Sequence, residues 1–167
     1  MMTYHFYPMN KEHAATICTW EYADPYSIYS MDDSNECICE LMNDEYFCAL
    51  DSDNQLVGFI CIGNPARVPG GYPVGIYEHQ DRVDIGLGLR PDCTGGGNGL
   101  EFLLQGIDYL KQNTNVLKLQ LVVATFNERA IKVYERAGFV RGMRFMSRVG
   151  NNQAEFLSMT LSMKERL

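Results

Sequence analysis

The sequence lacks the clustered cysteine and histidine residues that build metal sites. Its six cysteines include one close pair, Cys37 and Cys39, but no C-x-x-C segment, and its three histidines are scattered along the chain. A structural zinc site usually needs two closely spaced pairs of such ligands. We therefore predict reduced thiols and no bound metal.

Long apolar runs and basic character are also missing. No stretch reaches the roughly 18 apolar residues that suggest a membrane span, and the first segment has neither the basic nor the apolar part of a signal peptide. The formal net charge is −7, whereas nucleic-acid binding needs a cationic surface. These absences predict a cytoplasmic protein with no membrane or nucleic-acid partner.

What is present is typical of one globular domain: 167 residues, of which 46% are hydrophobic and 21% charged. Apolar alternation predicts strands in "TYHFYP", in the hairpin "EYFCALDSDNQLVGFICIG", in "RVDIGLGLRP", in "VLKLQLVV" and around Arg144–Val149 and Glu155–Ser162. The strand–helix–strand unit in the middle is expected to be parallel and right-handed.

Helical spacing predicts four helices. They are "NKEHAATICTWEY" with Asn10 as N-cap, the segment from Asp33 to Met42, "LEFLLQGIDYLKQN", and "NERAIKVYERAGF" with Asn127 as N-cap and Gly138 as the stop. The third helix carries an apolar stripe of Leu100, Leu103, Leu104, Ile107 and Leu110.

Four glycines follow the strand "RVDIGLGLRP", at positions 95, 96, 97 and 99. A linker is one interpretation, but an apolar strand and an amphipathic helix adjoin the cluster directly. The first turn of a helix has N–H groups without partners, and glycines let the backbone curl around an anion. We predict an anion-binding loop, although neither G-x-x-x-x-G-K-S/T nor G-x-G-x-x-G is present.

Two motifs together resemble the GNAT family of acetyl-CoA-dependent N-acyltransferases. The segment from Thr94 to Gly99 is similar to the family's pyrophosphate signature, Gln/Arg-x-x-Gly-x-Gly/Ala, with Thr94 in the place of the usual Gln or Arg. The segment "NERAIKVYERAGF" resembles the later motif N-x-x-A-x-x-L/V-Y-x-x-x-G-F. The resemblance extends over about residues 83–140, with one helix and one strand between the motifs.

The resemblance implies a single α/β domain over residues 1–167. Its central sheet is expected to be mixed, mostly antiparallel and flanked by helices, with parallel fourth and fifth strands that splay apart around the acyl-pantetheine arm of acetyl-CoA. Gly86 and Gly88 are the expected positions of a bulge. The implied contacts to acetyl-CoA come from Leu87, Leu89, Thr94, Gly95, Gly96, Gly97, Asn98, Gly99 and Asn127.

The resemblance further implies that Tyr134 is the general acid for the departing thiolate, although periodicity alone favours a core tyrosine. Asp84 is the candidate general base, because it lies on the strand that leads to the glycine loop. The alternatives are Glu78, His79, Asp81 or an ordered water.

The candidate acceptor site is the aromatic segment "WEYADPYSIYSM", with Trp20, Tyr26 and Tyr29, which is either a wall that binds an ammonium or a second core beneath a loop. The implied reaction is direct transfer of an acetyl group to a primary amine of a small molecule or peptide in a ternary complex. A non-catalytic acyl-CoA-sensing module is the alternative. The C-terminal strands are candidate edges for a homodimer.

Overall fold

The computed structural model describes residues 2–32, 34–115 and 117–163. These residues form seven strands and four α-helices in a mixed α/β order. The elements are β1 His5–Pro8, α1 Lys11–Cys18, α2 Asn35–Leu41, β2 Tyr46–Leu50, β3 Leu56–Ile62, β4 Val83–Leu89, α3 Asn98–Asn113, β5 Lys118–Ala124, α4 Glu128–Ala137, β6 Val140–Val149 and β7 Asn152–Ser162.

The seven strands follow the order β1-β2-β3-β4-β5-β7-β6. β4 and β5 are parallel and pair at Val83 with Leu119 and at Asp84 with Gln120. The pairs β1–β2, β2–β3, β5–β7 and β6–β7 are antiparallel. The predicted mixed sheet with a parallel fourth and fifth strand is therefore confirmed, whereas the splaying of these strands stays a prediction.

The chain divides into two compact units. The first comprises Met1–Cys61 and Leu87–Gly106, and the second comprises Ile62–Gly86 and Ile107–Leu167. β4 and α3 each contribute residues to both units. The assignment of residues 1–167 to one domain stays a prediction.

The helices begin and end where side chains replace missing backbone partners. Asn10 Oδ1 accepts a hydrogen bond from His13 N at 2.7 Å, and Ser34 Oγ accepts one from Cys37 N at 3.2 Å. α2 thus begins at Asn35; the predicted start, Asp33, lies outside the described residues. Among the described helices, none combines the length and the apolar character needed to cross a membrane.

Aromatic rings form much of the core of the first unit. Phe102 on α3 is fully buried, and its ring centroid lies 5.3 Å from that of Tyr4 and 5.7 Å from that of Phe6. The predicted stripe of α3 is wrong at one position, because Leu104 is 40% exposed. Phe102, two positions earlier, points into the core instead.

β6 starts at Val140, four residues before the predicted strand, and forms a hairpin with β7. The register shifts between Arg141, opposite Met159, and Arg144, opposite Leu157. Gly142 and Met143 on β6 therefore lie opposite the single residue Ser158 on β7, which is a β-bulge. The bulge breaks the alternation of apolar and polar residues by which a strand is recognised in sequence.

We expect Gly58→Ala to lower the free energy of unfolding by about 1–3 kcal/mol, because it overpacks the first unit. A Cβ at Gly58 would lie 2.7 Å from the carbonyl oxygen of Gly88 and 2.8 Å from Cζ of Phe102. Urea denaturation followed by circular dichroism measures the change.

Gly106→Ala is the matched control. Its Cβ would lie 3.4 Å from Cγ2 of Ile60 and 3.6 Å from Cζ of Phe6, which are ordinary contacts. Alanine also favours a helix over glycine by about 1 kcal/mol. We expect stability to be unchanged or increased; equal destabilisation by both substitutions would contradict the packing argument.

Candidate functional site

The glycine loop joins β4 to α3 in the first unit. After a single turn at Pro91–Cys93, the chain runs from Thr94 into α3 at Asn98. Gly95 and Gly97 have φ angles of 77° and 80°, which glycine adopts without steric cost. A Cβ on Gly97 would meet no atom within 4 Å. The loop therefore has open space beside it and leads directly into a helix N-terminus, as an anion-binding loop requires.

The side chains around this loop are engaged with other groups. Thr94 Oγ1 donates a hydrogen bond to the carbonyl of Pro91 at 2.7 Å. Arg90 Nε pairs with Asp92 at 2.5 Å, and this ion pair lowers the pKa of Asp92. Arg90 NH1 donates to the carbonyl of Leu56 at 3.0 Å. Anion binding at the loop must therefore depend chiefly on backbone amides.

The end of β4, which carries Leu87 and Leu89, is fixed within the first unit. Tyr22 donates its phenol hydrogen to the carbonyl of Leu89 at 2.5 Å. A Cβ at Gly88 would lie 2.4 Å from Cε1 of Phe59. The close approach of that ring explains this glycine, and the bulge expected at Gly86 and Gly88 stays a prediction.

The aromatic segment has one buried and two more accessible members. Trp20 is 7% exposed, and its ring centroid lies 6.5 Å from that of Phe59. Tyr26 and Tyr29 lie on a short 3-10 turn, where Tyr26 is half-buried and Tyr29 is exposed. Trp20 thus packs in the core, while the two tyrosines present surface. The acceptor-binding role of all three stays a prediction.

Asp84 is buried in the second unit and accepts hydrogen bonds on both carboxylate oxygens. Oδ2 accepts from Arg67 Nε at 2.8 Å, and Oδ1 accepts from Gln120 Nε2 at 2.8 Å. Gln120 is 1% exposed, and its Nε2 also donates to the carbonyl of Ile76 at 2.9 Å. Asp84, Arg67 and Gln120 thus form one polar cluster.

Arg67 lies over two tyrosine rings. Its guanidinium carbon is 4.9 Å from the ring centroid of Tyr77 and 5.9 Å from that of Tyr72. Hydrogen bonds to Asp84 and Tyr72 raise the pKa of Arg67, and burial raises the pKa of Tyr77 to about 12. The Tyr77 hydroxyl accepts from Val68 N at 2.9 Å. These contacts hold the loop that leads from β3 to β4.

The three alternative bases, Glu78, His79 and Asp81, are exposed. Arg82 Nε donates to Asp81 at 3.0 Å, and this contact lowers the pKa of Asp81. Asp84 is therefore the one buried carboxylate among the four candidate side chains. Its role as general base stays a prediction.

α4 carries Asn127 and Tyr134 on one face. Asn127 Oδ1 accepts from Ala130 N at 3.2 Å, so the predicted N-cap is confirmed, and Gly138 ends the helix with a φ of 108°. Tyr134 follows Asn127 by seven residues, or about two turns. The Tyr134 ring is half-buried, and its centroid lies 6.0 Å from that of Phe139 at an interplanar angle of 62°.

One cysteine contacts the side chains beside the glycine loop, because Cys93 Sγ donates a hydrogen bond to Asp92 Oδ1 at 3.7 Å. All six cysteines are free thiols, and burial is the main cause that raises the pKa of Cys37 to about 12. Over the ranges that the structure describes, no three His, Cys, Asp or Glu side chains converge as metal ligands would.

Three residues of these sites were missed in the sequence: Tyr22, Arg67 and Gln120. Gln120 alternates with apolar residues in "VLKLQLVV", a pattern that favours a solvent-facing position, yet it is buried. Arg67 lies in an irregular segment rich in glycine and proline. Tyr22 lies in the aromatic segment "WEYADPYSIYSM", where nothing in the sequence distinguishes it from the neighbouring aromatic residues.

Comparison with known proteins finds one family. The model of the acetyltransferase (GNAT) family matches residues 12–139. Mycothiol acetyltransferase from Saccharomonospora viridis is 35% identical over 101 residues, which are 58% of this chain and 30% of that protein. The enzyme of the same name from Salinispora tropica is 33% identical over 89 residues, which are 50% of this chain and 29% of that protein. The matches thus span about 30% of the length of these curated relatives.

Solved structures show the same fold at low sequence identity. Mutant forms of the spermidine/spermine N-acetyltransferase SpeG from Vibrio cholerae align with a TM-score of 0.68 at 17% identity, covering 96% of this chain and 95% of that one. A GNAT-family acetyltransferase from Bacillus anthracis aligns with a TM-score of 0.67 at 14% identity, covering 97% and 98%.

The hydrogen bond of Tyr22 predicts a pH-dependent contribution to stability. Burial raises the pKa of Tyr22 to about 12, whereas an unfolded tyrosine ionises near pH 10. The contribution is therefore complete below about pH 10 and declines as the pH rises toward 12, because only the unfolded state then loses the proton. We expect Tyr22→Phe to be less stable than the wild type by about 1 kcal/mol at pH 8, with a smaller difference at pH 11.

Urea denaturation at both pH values measures this difference. Tyr7→Phe, at an exposed position on β1, is the control at pH 8 and should stay within about 0.5 kcal/mol of the wild type. A Tyr22→Phe difference that widens with rising pH would contradict the assignment.

Proposed function

The chain belongs to the acetyltransferase (GNAT) family of enzymes, and on that premise we propose that it acetylates a primary amine by direct attack on acetyl-CoA in a ternary complex. The observation that carries the proposal is the glycine loop. Positive φ angles at Gly95 and Gly97, open space beside Gly97 and the adjoining N-terminus of α3 fit a pyrophosphate group.

Acetyl-CoA supplies an activated thioester when it is bound. The backbone around Thr94, Gly95, Gly96, Gly97, Asn98 and Gly99 holds its pyrophosphate. The backbone of Leu87 and Leu89 binds the pantetheine amides and donates a hydrogen bond where negative charge develops on the acyl oxygen. Tyr22 orients this strand end, because it binds the carbonyl of Leu89. Asn127 contacts the pantetheine arm as well as capping α4.

Tyr134 serves as the general acid in this proposal and protonates the departing thiolate. Its place two turns along α4 from Asn127 supports this role, because a single rigid helix then carries both the residue that contacts the donor and the acid. The helix is firmly ended by Gly138 and by the hydrogen bond from Phe139 N to the carbonyl of Tyr134 at 3.0 Å.

The amine must lose a proton to attack, and we assign its removal to Asp84 through a bridging water. Arg67 and Gln120 already bind both oxygens of this carboxylate. A water that binds Asp84 beside them allows proton transfer without breaking the buried cluster. Glu78, His79 and Asp81 are the exposed alternatives.

The acceptor is proposed to be a small cationic amine. The names of the relatives, mycothiol acetyltransferase and spermidine/spermine N-acetyltransferase, support a small-molecule acceptor, with a peptide amine as the alternative. The net charge of −7 favours a cation, and Tyr26 and Tyr29 supply aromatic faces. A single cytoplasmic domain over residues 1–167 completes the proposal, with a homodimer formed through β6, the C-terminal strand that lies at the sheet edge.

Gly97→Ala should weaken acetyl-CoA binding about 5- to 30-fold. Its φ of 80° costs a residue with a Cβ roughly 1–2 kcal/mol, so the loop relaxes and its amides lose their alignment. Gly96→Ala is the matched control, because its Cβ would only contact Asn98 Nδ2 at 3.5 Å. Isothermal titration measures both affinities. Thermal stabilisation of the wild type by ATP or NAD, but not by acetyl-CoA, would overturn the proposal.

Tyr134→Phe should lower kcat at least about a hundredfold, because general acid catalysis is lost, and leave the affinity for acetyl-CoA unchanged. The assay is thiol release with the amine that gives the highest wild-type turnover in an acceptor panel. Tyr7→Phe is the control for the loss of a phenol elsewhere. Full turnover by Tyr134→Phe excludes this acid, and donor binding without turnover on any amine favours the sensing module.

A further inference from the structure

A cavity of about 280 Å³ in the second unit contains none of the residues assigned to acyl transfer. Its wall is apolar at Ile131 and Leu157. The charged side chains that line it are Glu128, Lys132, Arg141 and Arg144. Three cations and one anion line the cavity, and because Arg141 is paired with Glu135, the cavity keeps a small positive charge in a chain whose net charge is −7.

The β-bulge in β6 turns both arginines toward the cavity. Residues 157 and 159 of β7 share one face of the sheet, since side chains alternate along a strand. Arg141 pairs with Met159, and Arg144 pairs with Leu157. Without the extra residue between them, two positions three apart in sequence would point to opposite faces. The bulge is thus the device that brings the two guanidinium groups together.

The bulge is held in place by Ser158 and Gly142. Ser158 Oγ accepts a hydrogen bond from Met143 N at 2.9 Å, which satisfies the donor that the bulge removes from the ladder. A Cβ at Gly142 would lie 2.6 Å from the same oxygen. A buried serine and a residue without a Cβ therefore fit each other at this point, as expected for a bulge that places functional side chains.

Arg141 is further oriented by Glu135 on α4. Its Nε and NH2 atoms donate to the two carboxylate oxygens at 3.3 and 3.1 Å. Lys132 and Arg144 form no ion pair with any side chain in the described ranges. Lys132 and Arg144 together exceed the charge of Glu128 by one, so the cavity keeps a net positive charge for a ligand.

Lys132 lies on a different face of α4 from Asn127 and Tyr134, whereas Ile131, which forms part of the apolar wall, lies only about 40° from Asn127 around the helix axis. At about 100° per residue, Asn127 and Tyr134 lie within 20° of each other around the helix axis. Lys132 lies about 140° from Asn127 on the same projection. A ligand bound to Lys132 would not occupy the face of Asn127 and Tyr134.

We propose that this cavity binds a phosphate dianion, either free or as a small phosphate monoester. Guanidinium groups match phosphate oxygens with paired hydrogen bonds, and the lysine adds a point charge. The Thr125 hydroxyl, which also lines the cavity, is a further polar group. A volume of about 280 Å³ leaves room beside a phosphate for a small organic group against Ile131 and Leu157.

Titration calorimetry with inorganic phosphate and with glycerol 3-phosphate tests the proposal, with ionic strength held constant by sodium chloride. Tighter binding of glycerol 3-phosphate identifies a monoester site, and equal or tighter binding of phosphate identifies a site for the free ion. Arg144→Gln and Lys132→Gln should each weaken binding about tenfold, because each removes a charged hydrogen bond. Arg148→Gln is the matched control, since it lies on β6 beyond the cavity.

Ser158→Ala tests the bulge separately, because it removes the hydrogen bond from Met143 N that helps to position Arg144 and leaves every charge in place. We expect a weaker phosphate affinity with the far-UV spectrum unchanged. Equal phosphate affinity in the wild type, Arg144→Gln and Lys132→Gln would overturn the proposal. A binding heat with phosphate that is no larger than the heat with sodium chloride would also overturn it. Complete competition by acetyl-CoA would instead assign the cavity to the donor and equally overturn it.

Discussion

A carboxylate removed from water organises the second unit. Asp84 is 5% exposed, and a buried charge is tolerated only when it is paired and hydrogen-bonded. Arg67 and Gln120 meet that requirement, and each has a second partner: the tyrosine rings for Arg67 and the carbonyl of Ile76 for Gln120. These contacts hold the segment between β3 and β4 against the beginning of the parallel strand pair. The segment contains three prolines and has no long helix or strand of its own. Polar pairing thus orders this loop together with the apolar packing of Ile76, which is 7% exposed.

Sequence predicted the fold best where a local pattern has a local cause. Asn10 and Asn127 cap helices within three residues of their own positions, and Gly138 ends α4 with a backbone angle that suits glycine. The prediction failed where a more distant contact decides the outcome. Leu104 is exposed although it fits the helical stripe. β6 begins earlier than predicted, because the bulge interrupts the alternation by which its first residues would be recognised as a strand. The exposure of Leu104 has no marker in the neighbouring residues, whereas Gly142 marks the bulge in β6.

The candidate site shows the same difference between features with a local cause and features that depend on distant contacts. The glycine loop and the motif of α4 were predictable, because each is a short segment whose backbone form follows from its own residues. The supporting side chains were not, since Tyr22 binds a carbonyl 67 positions away and Gln120 binds a carboxylate 36 positions away. A polar residue in an apolar strand is ordinarily predicted to face solvent. Only the folded structure shows that Gln120 is buried and donates a hydrogen bond to the carboxylate of Asp84.

α4 contributes residues to both proposals: Asn127 caps it and Tyr134 lies on it, and Lys132 lines the basic cavity. Any coupling between the two sites must be reciprocal, so an anion that changes donor affinity by some factor has its own affinity changed by that factor. If the two sites are coupled, the phosphate concentration would change the occupancy of the acyl donor without direct contact between the two ligands.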